Sequence, residues 1–377
     1  MDLRLLYSLS LLLLFSPVPA AAQFDFDPVS GDQANTLEYD SKPRYNRVEG
    51  VVPHLEIGIK PWSRGGPLFR LSGAYASKRS QVRGRIAVAK RFGVDERWLL
   101  EMALFQQTAS NESWVIGTLE NSLAGVVLRE DFRDYFTRRG WSLLTNCRPG
   151  EGITLRFSLS GRHLGSLATS SNFAGSILGG DKVYRVNPGI VEGWELSSRF
   201  TLELDRRDNP YFPVTGWILR ASFEHTAGDF AANGLFIQSL YYAPLAGRSR
   251  IVARAMAGVR RGSMAPQYLM KIGGLGSLRA FPDLFRQGRY FTLCNLFYYF
   301  GGGLLNALPL PRFPGRQGTS LGLFLEAGDA WSKRIDPLID GGFSLLFVDG
   351  MLRIDFAVPL RGNRGDWRIT FRLFERL

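Results

Sequence analysis

Cysteine is nearly absent: Cys147 and Cys294 are the only two in 377 residues, which excludes a fold stapled by disulfides. The two sit in different strand-like patterns and are not expected to join. Histidine is as scarce. His54, His163 and His225 are the only three, and none is spaced with another His, Cys or carboxylate as metal ligands are, so neither a metal nor a cofactor is expected. Beyond Gln23 there is no apolar run of the roughly 20 residues that a membrane-crossing helix needs, because Arg, Glu, Ser or Gly interrupts every second or third position. Any membrane span must be built from strands. Acidic residues are outnumbered, 34 against 46 Lys and Arg, for a net charge of +12. That admits an anionic partner only if the cations face outward.

What is present begins with Met-Asp-Leu-Arg, an apolar run from Leu5 to Phe15, and small residues at Ala20 and Ala22. Residues 1–22 read as a secretory signal peptide cleaved after Ala22. The run is too short for a membrane anchor. Residues 23–44 are acidic, polar and aperiodic and read as a periplasmic leader or linker. From 45 to 377 the text is of one kind, and one domain is the simpler reading.

That text is strict alternation. Trp194, Leu196, Phe200, Leu202 and Leu204 share one face of a strand whose other face holds Glu195, Arg199, Thr201, Glu203 and Asp205, the period-two pattern of a strand with one apolar side. The pattern recurs at Ile153–Ser160, Trp217–Glu224, Leu352–Val358 and Trp367–Leu373. About fifteen such segments can be placed between 51 and 376, each near the ten-residue length of a transmembrane strand. Alternation alone fits a soluble sandwich equally well. Strand length, aromatic residues clustered at strand ends and the signal peptide favour an all-β transmembrane antiparallel barrel. Barrels formed by one chain are nearly always even in strand number, so sixteen strands are expected, with the missing one before residue 51. Short turns such as 206–215 alternate with longer connections at 110–138, 163–192, 261–287 and 329–340, as periplasmic turns alternate with extracellular loops. Segment 118–139 carries nearer to helical spacing. It reads as a short helix, either in an extracellular loop or folded into the mouth as a partial plug.

Arg83, Arg85, Arg156, Arg199, Arg220, Arg353, Arg368 and Arg372 all fall on the polar faces. A charge on the lipid face near mid-bilayer costs about 2 to 4 kcal/mol, so these cations are expected in the lumen, which argues against a nucleic-acid partner. Either they pair with Glu195, Glu203, Asp205, Glu224 and Asp355, or they make the lumen favour anions. His163 and Ser166 stand near each other, but their spacing alone does not make a catalytic pair, and no enzyme activity is expected.

Three motifs carry a resemblance. Gly273-Gly274 followed by Ser277-Leu278-Arg279-Ala280-Phe281 resembles the arginine-bearing loop motif of the BamA/TamA outer-membrane superfamily. Phe324-Leu325-Glu326-Ala327-Gly328 looks like that family's Phe-x-Asp-x-Gly strand motif. The turn Asp205-Arg206-Arg207-Asp208-Asn209-Pro210 through Gly216 is similar to its Asp-x-Arg-Asn-Pro turn. The order and spacing are family-like over residues 45–377. The resemblance implies a sixteen-stranded barrel whose sixth extracellular loop folds into the lumen, with the motif arginine on acidic residues of the inner wall. The register around Glu326 turns Phe324 and Glu326 inward and makes Glu326 available to Arg279. Ala280 stands where the family has glycine, Glu326 where it has aspartate, and Phe297 where a neighbouring strand commonly supplies a glutamate, which leaves Arg279 one evident acidic partner. Residues 23–44 are too few for a periplasmic POTRA domain.

The resemblance further implies an outer-membrane protein of a Gram-negative bacterium acting in assembly or insertion of outer-membrane proteins or in protein translocation. Its partners would be outer-membrane lipids, nascent outer-membrane or secreted proteins, and a separate periplasmic component. The alternative is a basic-lumen passive channel or structural surface protein.

Overall fold

A computed structural model describes residues 36–62, 65–171, 178–301, 319–347, 352–362 and 367–373. The segments read as signal peptide (1–22) and as the first part of the leader (23–35) lie outside the described residues. The strands are β1 (Thr36–Ser41), β2 (Arg44–Asn46), β3 (Gly50–Val52), β4 (His54–Lys60), β5 (Leu68–Ala76), β6 (Gln81–Phe92), β7 (Trp98–Ala109), β8 (Phe136–Gly150), β9 (Ile153–Ser166) and β10 (Gly193–Asp205). They continue as β11 (Gly216–Gly228), β12 (Ala232–Pro244), β13 (Arg250–Gly262), β14 (Met270–Ile272), β15 (Arg286–Gly288), β16 (Tyr290–Tyr299), β17 (Ser320–Trp331), β18 (Leu338–Phe347), β19 (Leu352–Arg361) and β20 (Arg368–Leu373). One α-helix, α1 (Thr118–Leu128), precedes β8.

Sixteen of these form a single antiparallel sheet in chain order, and the hairpins β2–β3 and β14–β15 stand apart from it. No ladder joins β1 to β20 among the described residues. Alternation sorts the side chains as expected. Phe200 lies opposite Phe157 and Phe223, and all three are exposed on the outer face. One residue away Arg199 faces Glu224, which is buried on the inner side. Trp98, Trp194, Trp217 and Tyr241 stand exposed outside, where amphipathic rings suit a membrane boundary.

Two expectations are corrected. The barrel begins before residue 45: β1 starts at Thr36, inside the segment read as leader. This six-residue strand carries Glu38 and Asp40, and so short and acidic a stretch gives alternation too few positions to stand out. It is also the strand missing before residue 51. Segment 118–139 is helical only over α1, and from Phe136 it is already β8.

Because each strand reverses the last, the connections 42–53 (loop 1), 110–135 (loop 3), 167–192 (loop 4) and 263–289 (loop 6) all leave the same end of the barrel. They turn inward. Tyr45 of loop 1 packs on α1, its backbone N–H donating to Ser122 Oγ at 3.0 Å. Gly125 leaves room for it, since a Cβ there would meet the Tyr45 ring at 2.8 Å.

Candidate functional site

Loop 6 enters the lumen through backbone that side chains would obstruct. Gly273, Gly274 and Gly276 have φ of 115°, 77° and 82°, the left-handed region that glycine adopts without steric cost. A Cβ on Gly276 would lie 2.5 Å from the Val115 carbonyl oxygen. The bend is fixed by Gly273 N–H donating to Ser277 Oγ at 2.9 Å and Gly274 N–H to the Leu278 carbonyl at 2.9 Å. Leu278 and Phe281 then join a buried apolar cluster with Leu293, Phe297, Phe324, Leu338 and Leu346 of the wall.

This anchor delivers Arg279. Its Nη2 lies 3.6 Å from Glu326 Oε1 and its Nη1 3.4 Å from Asp355 Oδ1. Asp355 of β19 is the second acidic partner, which lies outside the quoted motifs. The guanidinium carbon sits 4.6 Å from the Phe297 ring centre and 4.4 Å from that of Phe324. Phe297, noted as standing in the place of an acid, therefore supplies one of two aromatic faces, and desolvated contacts of this type contribute up to about 2 kcal/mol. The loop backbone is read as well: Arg279 N–H donates to Glu326 Oε2 at 3.1 Å and Ala280 N–H to Asp340 Oδ2 at 2.8 Å. Asn295 Nδ2 bridges Glu326 Oε1 at 2.7 Å and the Ser277 carbonyl at 2.8 Å, while Arg254 Nε donates to Asn295 Oδ1 at 2.9 Å. Gly328 completes the strand motif. A Cβ there would press to 2.6 Å from Ile272 of β14, so the glycine admits the loop.

The third motif lies at the opposite end. In the 206–215 turn Arg207 forks onto Asp205, Nε at 2.9 Å and Nη2 at 2.6 Å. Asp208 Oδ1 accepts the N–H groups of Val214 and Thr215 at 3.0 and 3.1 Å, bonds that hold its carboxyl below the usual range. Asn209 Oδ1 accepts those of Tyr211 and Phe212, Pro210 offers its carbonyl to Arg207 at 3.1 Å, and Gly216 has a φ of 104°. The turn is thus a self-contained unit that does not meet loop 6. His163 faces outward, its ring 5.4 Å from that of Trp194, whereas Ser166 Oγ donates to the Ile190 carbonyl at 3.0 Å.

Two further features were not read from the sequence. Arg47 of loop 1 reaches Asp131 and Asp134 of loop 3 and Asn187 of loop 4, with Nη2 at 3.1 Å from both Asp134 Oδ1 and Asn187 Oδ1. Glu120 of α1 accepts from Arg372 Nε at 2.9 Å and from the Leu373 backbone N–H at 2.8 Å. The helix therefore grips β20, the strand at one edge of the sheet, while Tyr45 ties it to loop 1 beside the other edge. A lone arginine in an aperiodic stretch and a glutamate on a short helix carry no signal that would reveal these contacts.

Geometry of this kind defines a sixteen-stranded antiparallel sheet of the barrel type, with described parts of loops 1, 3, 4 and 6 packed together at one end and an arginine loop held against the wall. No family model matches the sequence, and no curated protein matches it. Solved structures do. BamA from Haemophilus ducreyi lacking POTRA domains 1–3 superposes with a TM-score of 0.61 at 13% identity, over 90% of this chain and 69% of that one. CdiB from Acinetobacter baumannii gives 0.45 at 11% identity over 89% and 59% of the two chains, and CdiB from Escherichia coli 0.47 at 12% over 89% and 61%. The BamA structure is a barrel of the BamA/TamA superfamily, and at 13% identity the likeness of this chain to it is one of fold.

Proposed function

We propose that the chain is a non-enzymatic outer-membrane barrel of the BamA/TamA type that acts in insertion of outer-membrane proteins or in protein translocation, with lipids around it and a separate periplasmic partner. The observation that carries this reading is Arg279 held against Glu326 and Asp355 in a lumen covered by loops. Among the described residues no ladder joins β1 to β20, and a strand edge left unpaired is a template for a further strand. Depletion of the protein followed by an inventory of outer-membrane proteins is the test. Loss of a defined set of clients is expected. An unchanged inventory, with fractionation placing the chain elsewhere, would sink the reading.

A passive channel is the second reading. Arg199 and Arg220 keep 48% and 41% of their side chains exposed inside the lumen, and β8 and β9 contain no acidic residue. Planar-bilayer recording of the purified chain separates the two: steady anion-selective conductance favours the channel, a closed pore the assembly role.

A further inference from the structure

The inward arginines of β10 and β11 meet carboxylates: Arg199 reaches Glu224 and Arg220 reaches Glu203. The outward cations at the long-loop end do not. Arg139 of β8 shares its face with exposed Trp141, and Arg261 of β13 shares its face with Val259. Both are exposed, and no carboxylate reaches either among the described residues. A bare guanidinium on the lipid-facing surface is unfavourable unless an anion meets it there.

Neighbouring strands continue the pattern. Arg139 lies directly opposite His163, and His163 opposite Trp194. Across β11 to β13, His225 lies opposite Asn233 and Asn233 opposite Arg261. His225 Nδ1 and Asn233 Oδ1 are 2.8 Å apart, which fixes the imidazole and leaves Nε2 for another partner. The nearest acids are engaged elsewhere: Asp229 accepts the Trp194 N–H at 2.7 Å and Glu192 the Ser166 N–H at 2.8 Å. On β5 to β7 the outward positions toward the same end, Tyr75, Val82, Gly84 and Gln106, are uncharged. Exposed cations also occur at this end at Lys78, Lys333 and Arg334, but on the connections between strands; the outward strand-face cations meet on β8 to β13.

We propose that this sector, Arg139, His163, His225 and Arg261 with Asn233 between them, is a docking surface for phosphate-bearing lipid headgroups of the leaflet around the long-loop end. Charge complementarity and continuity with the apolar belt select a lipid over a soluble anion, since the same strands present exposed Phe157, Phe200 and Phe223 directly toward the other end. Guanidinium forks suit phosphate oxygens, and each basic group near an anionic surface contributes about 1 kcal/mol, a factor of roughly five. The inference rests on the reading of the chain as a membrane-spanning barrel.

The test uses the full mature chain in nanodiscs. One set contains a diphosphorylated glucosamine glycolipid, a second its dephosphorylated form, and retained glycolipid per chain is counted by native mass spectrometry. Retention of the phosphorylated form only is expected, falling about twenty-five-fold in Arg139→Gln/Arg261→Gln and recovering in Arg139→Lys/Arg261→Lys. Equal retention of both lipids, or no loss in the glutamine variant, overturns the proposal, as does displacement by millimolar inorganic phosphate, which would identify a soluble-anion site. Heat-modifiable gel mobility checks that each variant is folded. Surface labelling of a cysteine placed at Asp181 in cells tests the outer-membrane reading separately, so failure of that reading is not confused with failure of the lipid site.

Discussion

Arg47 and Arg279 are both shielded from solvent, at 0% and 1% exposure, yet different chemistry holds them. Arg47 points its N–H groups at the Asp131 carbonyl, the Asp134 carboxylate and the Asn187 side-chain oxygen, all on loops, at 3.1 Å each. Arg279 sits over the adjoining Phe297 and Phe324 rings, whose centres are 6.1 Å apart, with Glu326 and Asp355 of the wall beside its guanidinium nitrogens. One arginine ties loop to loop. The other ties loop to barrel. Removing the first should loosen the cover and spare the sheet, whereas removing the second should leave Glu326 inside the wall without its ion-pair partner while Asp355 keeps Arg353 at 3.1 Å.

The largest effect is therefore expected from Arg279→Ala. Glu326 would lose its ion-pair partner while Asp355 keeps Arg353 at 3.1 Å, and breaking a buried pair from one side typically costs about 3 to 5 kcal/mol. The urea midpoint of the barrel, read by heat-modifiable mobility, should fall accordingly. Arg279→Lys should recover only part, because an ammonium lacks the planar fork that reaches Glu326 and Asp355 together while lying over aromatic rings. A midpoint within error of wild type for the alanine variant would show the lock to be idle.

Arg47→Ala comes next, at about 1 to 3 kcal/mol for the unmade hydrogen bonds. Asp134 keeps Arg185 at 2.5 Å and Lys271 at 2.6 Å, and Asp131 keeps Asn121 and Tyr135. Limited proteolysis should cut loops 1, 3 and 4 faster while the urea midpoint of the sheet barely moves. If both change together, cover and barrel are one cooperative unit and the contrast collapses.

Smaller again is Glu120→Gln. The amide still accepts the Leu373 N–H but loses its charge toward Arg372, a difference of about 1 to 2 kcal/mol in a charge-assisted bond. Amide exchange in β20 should quicken with loop 6 unaffected. Unchanged exchange in β20 would mean that the helix merely rests against the edge strand.

The difference between the two arginines also explains what could be read without coordinates. Strand positions and the inward turn of Glu326 follow from period-two alternation, which is local, whereas alternation placed only about fifteen strands and the sixteenth came from the even count expected of a one-chain barrel. Arg279 was legible because its glycines and its partner strand carry fixed spacings. Asp355 was not, since on an alternating strand nothing distinguishes the acid that meets a loop from one that meets water. Arg47 was hidden for the same reason in stronger form: its partners at 131, 134 and 187 come from two aperiodic loops, and their meeting exists only after the barrel brings the loop ends together. β1 was hidden by its brevity.

Acid offers the finest division between cover and wall. Burial by itself would raise the Asp134 carboxyl, but Arg185, Lys271 and Arg47 together hold it below the ordinary value. A depressed folded-state pKa adds stability above the unfolded value near 3.9, and that stability is lost as pH falls through the folded value. The cover should hence loosen only below about pH 4. Amide exchange, corrected for its intrinsic pH dependence, should rise at 131–135 and 185–187 in that range while 278–281 stays protected, its apolar cluster needing no carboxylate charge to remain packed. Asp134→Asn should remove part of the pH dependence and leave the loops looser at neutral pH. Opening of the cover already at pH 6, or simultaneous opening of 278–281, would assign the acid response to groups other than Asp134.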